Sequence, residues 1–309
     1  MCPAARSDIV GFIVTSRGFY TAGLSIALIA CVELAAAQLQ GQRPLEVSFA
    51  PVSPRPGDVA RIDVTGAPGD DAITGTMFGE TVAFHYDEGH QKWSALVGID
   101  LDTKPGDFQL RIDARGAPRF ARMMRIAPRQ FRVRRLQVPG GYVDPPADEL
   151  ARIADDSATL AAAYARVSPR QWSGQFLLPV DAPASSNFGT RSYYNGQRRS
   201  PHAGVDFAAQ TGTPVRAANY GHVVIASSMY FTGNTVVVDY GDRVFSVFAH
   251  LSQLMAKPGD RVEPTTVIGL VGATGRVTGP HLHWSVRLSG ARVDPLTLIS
   301  ATQALNRHE

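Results

Sequence analysis

Apolar and polar residues alternate along much of this 309-residue chain in short stretches that glycine and proline cut off, and a period of two admits little besides β structure. Residues 45–49, 59–64, 81–86, 108–112 and 131–138 alternate in this way. Pro56-Gly57-Asp58, Pro68-Gly69-Asp70 and Pro105-Gly106-Asp107 supply turn chemistry between them. Short strands with turns at such intervals predict a small β-sandwich over residues 45–138. Arginines crowd between Arg111 and Arg135. Arg132 and Arg134 share one strand face with Val133 on the other, and the run reads as a solvated face rather than a contact for an anionic glycan or lipid.

One helical stripe interrupts the pattern. Leu150, Ile153, Leu160, Tyr164 and Val167 recur at helical spacing, Asp144 can cap the segment and Pro145 can take its first position. Residues 144–168 are therefore expected to form a helix linking two domains. Beyond it, residues 174–298 are rich in glycine and β-branched residues, with strands expected at 223–225, 235–239, 244–249, 267–271 and 282–288. The expected fold class is all-β: an N-terminal small β-sandwich, a linking helix, a second β-rich domain and a tail at 299–309.

The two cysteines, Cys2 and Cys31, both precede the first expected strand, so the folded part has neither a disulfide nor a cysteine metal ligand. Arg6 and Arg17 precede an apolar run from Gly18 to Cys31 that is too short to span a bilayer, where about 20 residues are needed. The run reads as a secretory signal peptide. Cleavage after Ala35-Ala36-Ala37 would leave Gln38 as the mature start and residues 1–37 as the signal. Leu28-Ile29-Ala30-Cys31 equally resembles a lipobox, which would end the signal at Ala30 and anchor the protein through a lipidated Cys31. The long segment before the run also allows a start codon downstream of Met1. Either cleavage implies the cell envelope, on the periplasmic side. Charged residues make up 18% of the chain and the net charge is +3, which suits an anionic envelope polymer and is too small to argue for nucleic acid.

Four of the eight histidines gather with one aspartate in three short clusters: His202-Ala203-Gly204-Val205-Asp206, Phe248-Ala249-His250-Leu251 and Gly279-Pro280-His281-Leu282-His283-Trp284. On a strand His281 and His283 point one way while Leu282 and Trp284 point into a core. His202 and Asp206 likewise share a face if extended, with Val205 and Phe207 inward, and Gly204 lets the backbone pass close to a ligand. Two imidazoles and a carboxylate make a three-ligand set for catalytic zinc, with a water of pKa about 7 in the fourth position. The two remaining histidines suit proton transfer and stabilisation of charge on an attacked carbonyl. His85, His90, His222 and His308 fit no such pattern and read as surface residues.

These motifs resemble the lysostaphin-type (LytM-like) zinc metallopeptidases, marked by H-x3-D, an H-L-S segment and a closing H-x-H. The matching stretches run from Ser200 to Phe207, Phe248 to Ser252 and Gly275 to Trp284. Asn187-Phe188-Gly189, Gly212-Thr213-Pro214-Val215 and Val293-Asp294-Pro295 agree with the landmarks around them, and the resemblance covers about residues 174–298. It implies one zinc ion held by His202, Asp206 and His283, with His250 and His281 as catalytic histidines flanking the scissile carbonyl. It implies a β-rich lysostaphin-type peptidase domain that cuts peptide cross-bridges of peptidoglycan. Phe248 stands where many members have tyrosine, Tyr240 where histidine is common, and Pro264-Thr265 replaces an Ala-Gly turn; none of these removes a ligand. The alternatives are an inactive peptidase-like domain that binds and activates a cell-wall amidase, and a D-alanyl-D-alanine carboxypeptidase. The first lacks support because all five positions are filled, and the second because of the H-x3-D and H-x-H spacing. The sequence leaves open which bond is cut and whether a regulatory envelope partner switches the protein on.

Overall fold

The computed structural model describes residues 44–70, 72–114, 119–137, 145–185 and 187–303. The N-terminal apolar run, Cys2, Cys31, Asp144 and His308 lie outside them, as does most of the expected tail. Among the described residues no helix is long and apolar enough to cross a membrane.

The first region has eight strands: β1 (Glu46–Ala50), β2 (Val59–Thr65), β3 (Ile73–Met77), β4 (Glu80–Ala83), β5 (His85–Asp87), β6 (Lys92–Gly98), β7 (Gly106–Ala114) and β8 (Phe120–Ile126). They form two four-stranded sheets, β1-β2-β6-β5 and β4-β3-β7-β8. Ile62, Leu110, Ile112 and Met124 fill the space between these sheets, as alternation along a half-buried strand requires. The strand expected at 81–86 is two strands. It breaks at buried Phe84, and its halves β4 and β5 pair in different sheets. Pro105-Gly106-Asp107 is not a turn between strands, because Gly106 already begins β7.

The strand expected at 131–138 is β9 (Val133–Leu136), and it is not part of the sandwich. It pairs in parallel with β10 (Arg191–Tyr194), which turns back into β11 (Gln197–Arg198). Between β9 and β10 lies the helix. It starts later than expected, with a tight turn at Ala147–Glu149 leading into α1 (Leu150–Tyr164), so Pro145 is not its first residue. Its apolar stripe is only partly a packing face. Ala163, with Leu160 and Tyr164, covers Ile225, Val237, Phe245 and Val247, whereas Leu150 and Val167 are exposed.

The second region is one nine-stranded sheet. Its strands are β12 (Gly204–Phe207), β13 (Pro214–Arg216), β14 (Gly221–Met229), β15 (Gly233–Asp239), β16 (Val244–Leu254), β17 (Arg261–Val262), β18 (Val267–Val271), β19 (Leu282–Leu288) and β20 (Ala291–Val293). Its main path is β12-β19-β16-β15-β14-β17, with β13, β18 and β20 attached beside it. Strands β15 and β16 are buried on both faces, under α1 on one side and under Phe176, Phe207, Tyr240 and Trp284 on the other. The chain then enters α2 (Pro295–Gln303), so residues 299–303 are helical rather than a free tail. Buried Thr302 accepts the Phe176 amide at 3.1 Å.

The sandwich meets this sheet through polar groups as well as apolar ones. Val59 and Leu101 belong to the apolar cluster of the second region. Arg129 lies between Asp58 (3.0 Å) and Asp294 (3.5 Å). His85 is not a plain surface residue, because its Nε2 is 2.6 Å from Asp242 Oδ2. Arg292 reaches Asp100 at 2.6 Å and Asp102 at 2.7 Å. Burial pushes both carboxyls up, but the Arg292 guanidinium on both, joined by Arg191 on Asp102, leaves them below the usual carboxylate range. A depressed carboxyl pKa stabilises the fold above the unfolded value and loses that contribution as pH falls through the folded value. Arg292→Ala is therefore expected to cost about 1–2 kcal/mol in urea unfolding at about pH 7. The difference from the parent should shrink toward zero by about pH 2, once the carboxyls are protonated in both. A cost that stays constant over that range would assign the loss to packing.

Candidate metal centre

Strand pairing brings the separated motifs together. Strand β12 runs antiparallel to β19 with Asp206 opposite His283 and Val205 opposite Trp284. On the other side of β19, Ala249 of β16 stands opposite His283 and Phe248 opposite Trp284. The inward positions form core: Val205, Phe207, Phe248, Leu282 and Trp284 are buried, with the Phe248 and Trp284 rings nearly parallel. The outward positions carry the polar groups. His202 precedes β12 and is held by two backbone bonds, its amide donating to Thr190 (3.0 Å) and its carbonyl accepting from Gly189 (2.7 Å).

Three ligand-type atoms converge. His202 Nε2 is 3.1 Å from Asp206 Oδ1 and 3.1 Å from His283 Nδ1, and His283 Nδ1 is 2.8 Å from Asp206 Oδ1. Among the described residues, His202, Asp206 and His283 form the group of side chains placed so that it could hold a metal ion. Burial alone would raise the Asp206 pKa, but hydrogen bonds and charge from His202 and His283 hold it far below the carboxylate range, so it is ionised. Burial lowers the His283 pKa and favours the neutral, ligating form. An anionic oxygen and two imidazole nitrogens at these separations repel one another unless a cation or shared protons lie among them. Bonds of about 2.0–2.2 Å to a single zinc ion fit such a triangle. The side chains of this group and His281 stay 16% to 26% exposed, so the site is open to solvent.

The other two histidines have their tautomers fixed. A carbonyl only accepts, so the 2.9 Å contact from His250 Nδ1 to Thr274 O makes Nδ1 the protonated nitrogen and leaves Nε2 for other partners. His281 Nδ1 donates to Gly279 O at 2.9 Å in the same way, and its Nε2 lies 3.8 Å from Asp206 Oδ1. Ring centroids of His250 and His281 are 4.9 Å apart. Burial pushes the His250 pKa down to about 4, with the Thr274 carbonyl opposing, so its imidazole is neutral near pH 7. His250 also has φ of +64°, a left-handed conformation that costs a non-glycine residue about 1–3 kcal/mol. The amide bond to Thr232 O (2.8 Å) and the ring bond to Thr274 hold it there.

Three supporting residues were not legible as such. Asn187 donates to Asp206 Oδ2 at 2.7 Å and is itself fixed by Ser185, so it orients the carboxylate. Thr274, just outside the quoted third motif, sets the His250 ring. Gly204 makes room for a protein ring rather than for a ligand. A Cβ there would lie 2.7 Å from His283 Nε2 and 2.6 Å from Trp284 O.

The family described as peptidase family M23 matches residues 200–295. Over 121 residues the chain is 40% identical to peptidoglycan DD-endopeptidase ShyA of Vibrio cholerae, across 38% of this chain and 28% of that protein. Over 123 residues it is 38% identical to DD-carboxypeptidase/endopeptidase Mpg of Neisseria meningitidis, across 40% of this chain and 28% of that protein. The matched segment thus spans little more than a quarter of these curated relatives. A crystal structure from Pseudomonas aeruginosa, described as a peptidase M23, is 35% identical with a TM-score of 0.65, covering 85% of this chain and 99% of that one.

Gly204→Ala is expected to displace the His283 ring and weaken zinc binding about 10–100-fold in a chelator competition titration. Affinity equal to the parent in a folded variant would show that His283 tolerates the shift or is not a ligand.

Proposed function

The chain belongs to peptidase family M23, and from that premise we propose that it is a zinc-dependent endopeptidase hydrolysing the peptide cross-bridges of bacterial peptidoglycan. The observation that carries this reading is the convergence of His202 Nε2, Asp206 Oδ1 and His283 Nδ1 beside two further imidazoles whose Nδ1 protons are already committed. One zinc ion held by those three residues would supply Lewis acidity toward a peptide carbonyl and lower the pKa of water. Asp206, ionised and oriented by Asn187, contributes the negative charge of the set. His250 and His281 present Nε2 toward the site. A neutral imidazole there can take a proton from the attacking water and return it to the leaving amine nitrogen, and a protonated one can donate to the oxygen on which charge develops.

Relatives named as peptidoglycan endopeptidases support this substrate class. The name of the Mpg relatives joins carboxypeptidase to endopeptidase, so the H-x3-D and H-x-H spacing does not by itself argue against release of a terminal residue, and that name supports it as a second reaction of the same site. The reading places the protein in the periplasmic cell envelope, soluble from Gln38 or lipid-anchored at Cys31. The inactive, amidase-activating reading keeps the same geometry and parts from this one in a turnover assay. Asp206→Ala is expected to lose zinc and activity together. His250→Ala and His281→Ala are expected to keep stoichiometric zinc while digestion of sacculi, followed by chromatography of the released peptides, falls about 10²–10⁴-fold. Wild-type protein with full zinc and no released peptides would favour the binding role. Loss of zinc from His250→Ala or His281→Ala with retention by His283→Ala would reverse the ligand assignment.

A further inference from the structure

The arginine run that reads as a solvated face in the sequence does not end on the sandwich. Strand β9 leaves it to form a three-stranded sheet with β10 and β11, the hairpin immediately before His202. Thr190, the residue before β10, accepts the His202 amide at 3.0 Å, and Arg199 donates back to Ser192 at 2.9 Å. The sheet therefore starts beside the metal triangle. At about 3.3 Å per residue it extends roughly 13 Å outward.

This sheet has no core of its own. All four residues of β9 are exposed, and none of the apolar clusters includes a residue of β9, β10 or β11. What it carries is charge on aromatic supports. Tyr193 stands opposite Arg135 on one side and Arg198 on the other, so all three share one face. The Arg135 guanidinium lies over the Tyr193 ring at 5.3 Å. On the opposite face Arg134 donates to the Tyr194 hydroxyl at 3.4 Å. Arg191 is neutralised by Asp102 at 2.7 Å. Arg132, Arg134, Arg135 and Arg198 have no carboxylate within ion-pair distance among the described residues, and no acidic residue occurs in 128–137 or 187–201. Arg135 and Arg198 stand on the two strands that flank β10, with Tyr193 between them, so their charges face the same side without an acidic neighbour. Tyrosine supports order the guanidinium forks before an anion arrives.

We propose that the β9–β10–β11 sheet is a substrate-docking surface whose Arg135–Tyr193–Arg198 face binds the free carboxylates of the peptidoglycan stem next to the bond being cut. The proposal rests on the peptidoglycan reading above and adds a chemical determinant to it. Continuity with the metal triangle selects this occupant. A strand held in the site would lie along the sheet, and planar guanidinium pairs match carboxylate geometry.

The test uses the full-length Asp206→Ala protein and co-sedimentation with intact sacculi, so binding is read without cutting. The parent is expected to bind native sacculi and to be released as salt rises from about 0.05 to about 0.5 M. Adding R135Q and R198Q should weaken that binding about tenfold or more. Sacculi whose carboxyls have been converted to amides with carbodiimide and ammonia should bind the unaltered surface as weakly as native sacculi bind the double variant. This arm leaves the protein untouched and is independent of any folding effect. Equal binding to native and amidated sacculi, equal binding by the double variant, or a preference for phosphatidylglycerol vesicles over sacculi would overturn the proposal. Digestion of native sacculi by the wild-type protein, run alongside, separates the two readings. Digestion with arginine-independent binding removes the docking surface alone, and absence of digestion counts against the endopeptidase.

Discussion

The register between β12 and β19 is the constraint on which the site depends. With Asp206 opposite His283, a carboxylate and an imidazole from segments 77 residues apart lie 2.8 Å apart without any loop having to place them. The same register puts Val205 against Trp284 in the core. A one-residue slip would turn His283 inward and Trp284 outward, and burying an imidazole while exposing an indole opposes it strongly. The apolar half of each motif thus specifies where its polar half stands. His202 joins from outside the strand, tied by two backbone bonds to the turn at Gly189 and Thr190.

Around this triangle the protein commits hydrogen bonds in a consistent direction. Asn187 occupies the second oxygen of Asp206, and Thr274 and Gly279 carbonyls take the Nδ1 protons of His250 and His281. Each bond frees the opposite atom of its ring or carboxylate for the open side of the sheet. The left-handed backbone of His250 belongs to the same arrangement, since local strain persists only where its surroundings over-determine it.

Much of this was legible in the sequence, and the reasons for the exceptions are physical. The H-x-H spacing works because alternation along a strand survives folding, whereas H-x3-D reaches the same side with His202 outside β12, held by its two backbone bonds. Strand β3 carries no clear alternation because Gly75 takes a core-facing position where Phe84 leaves no room for a Cβ, so no apolar signal appears there. Strand β8 is hidden because polar Arg122 takes an inward-parity position, opposite buried Leu110, while exposed Met123 stands with Arg125 on the solvent side. Strands β15 and β16 show continuous apolar runs, not alternation, because α1 covers their second face. No local pattern could show that β9 pairs with β10, since that pairing joins segments more than 50 residues apart. Arg132, Arg134 and Arg135 therefore read as surface charge on a sandwich, whereas they stand beside a hairpin that leads into His202.

The proposed chemistry requires a single zinc ion among His202, Asp206 and His283. Crystals of the zinc-loaded protein, measured above and below the zinc absorption edge, test it most directly. One anomalous peak per chain is expected within bonding distance of His202 Nε2, Asp206 Oδ1 and His283 Nδ1, with His250 and His281 too far to coordinate it. A peak bonded to Nε2 of His250 or His281 in place of His283, or no peak at the triangle in zinc-saturated crystals, would contradict it.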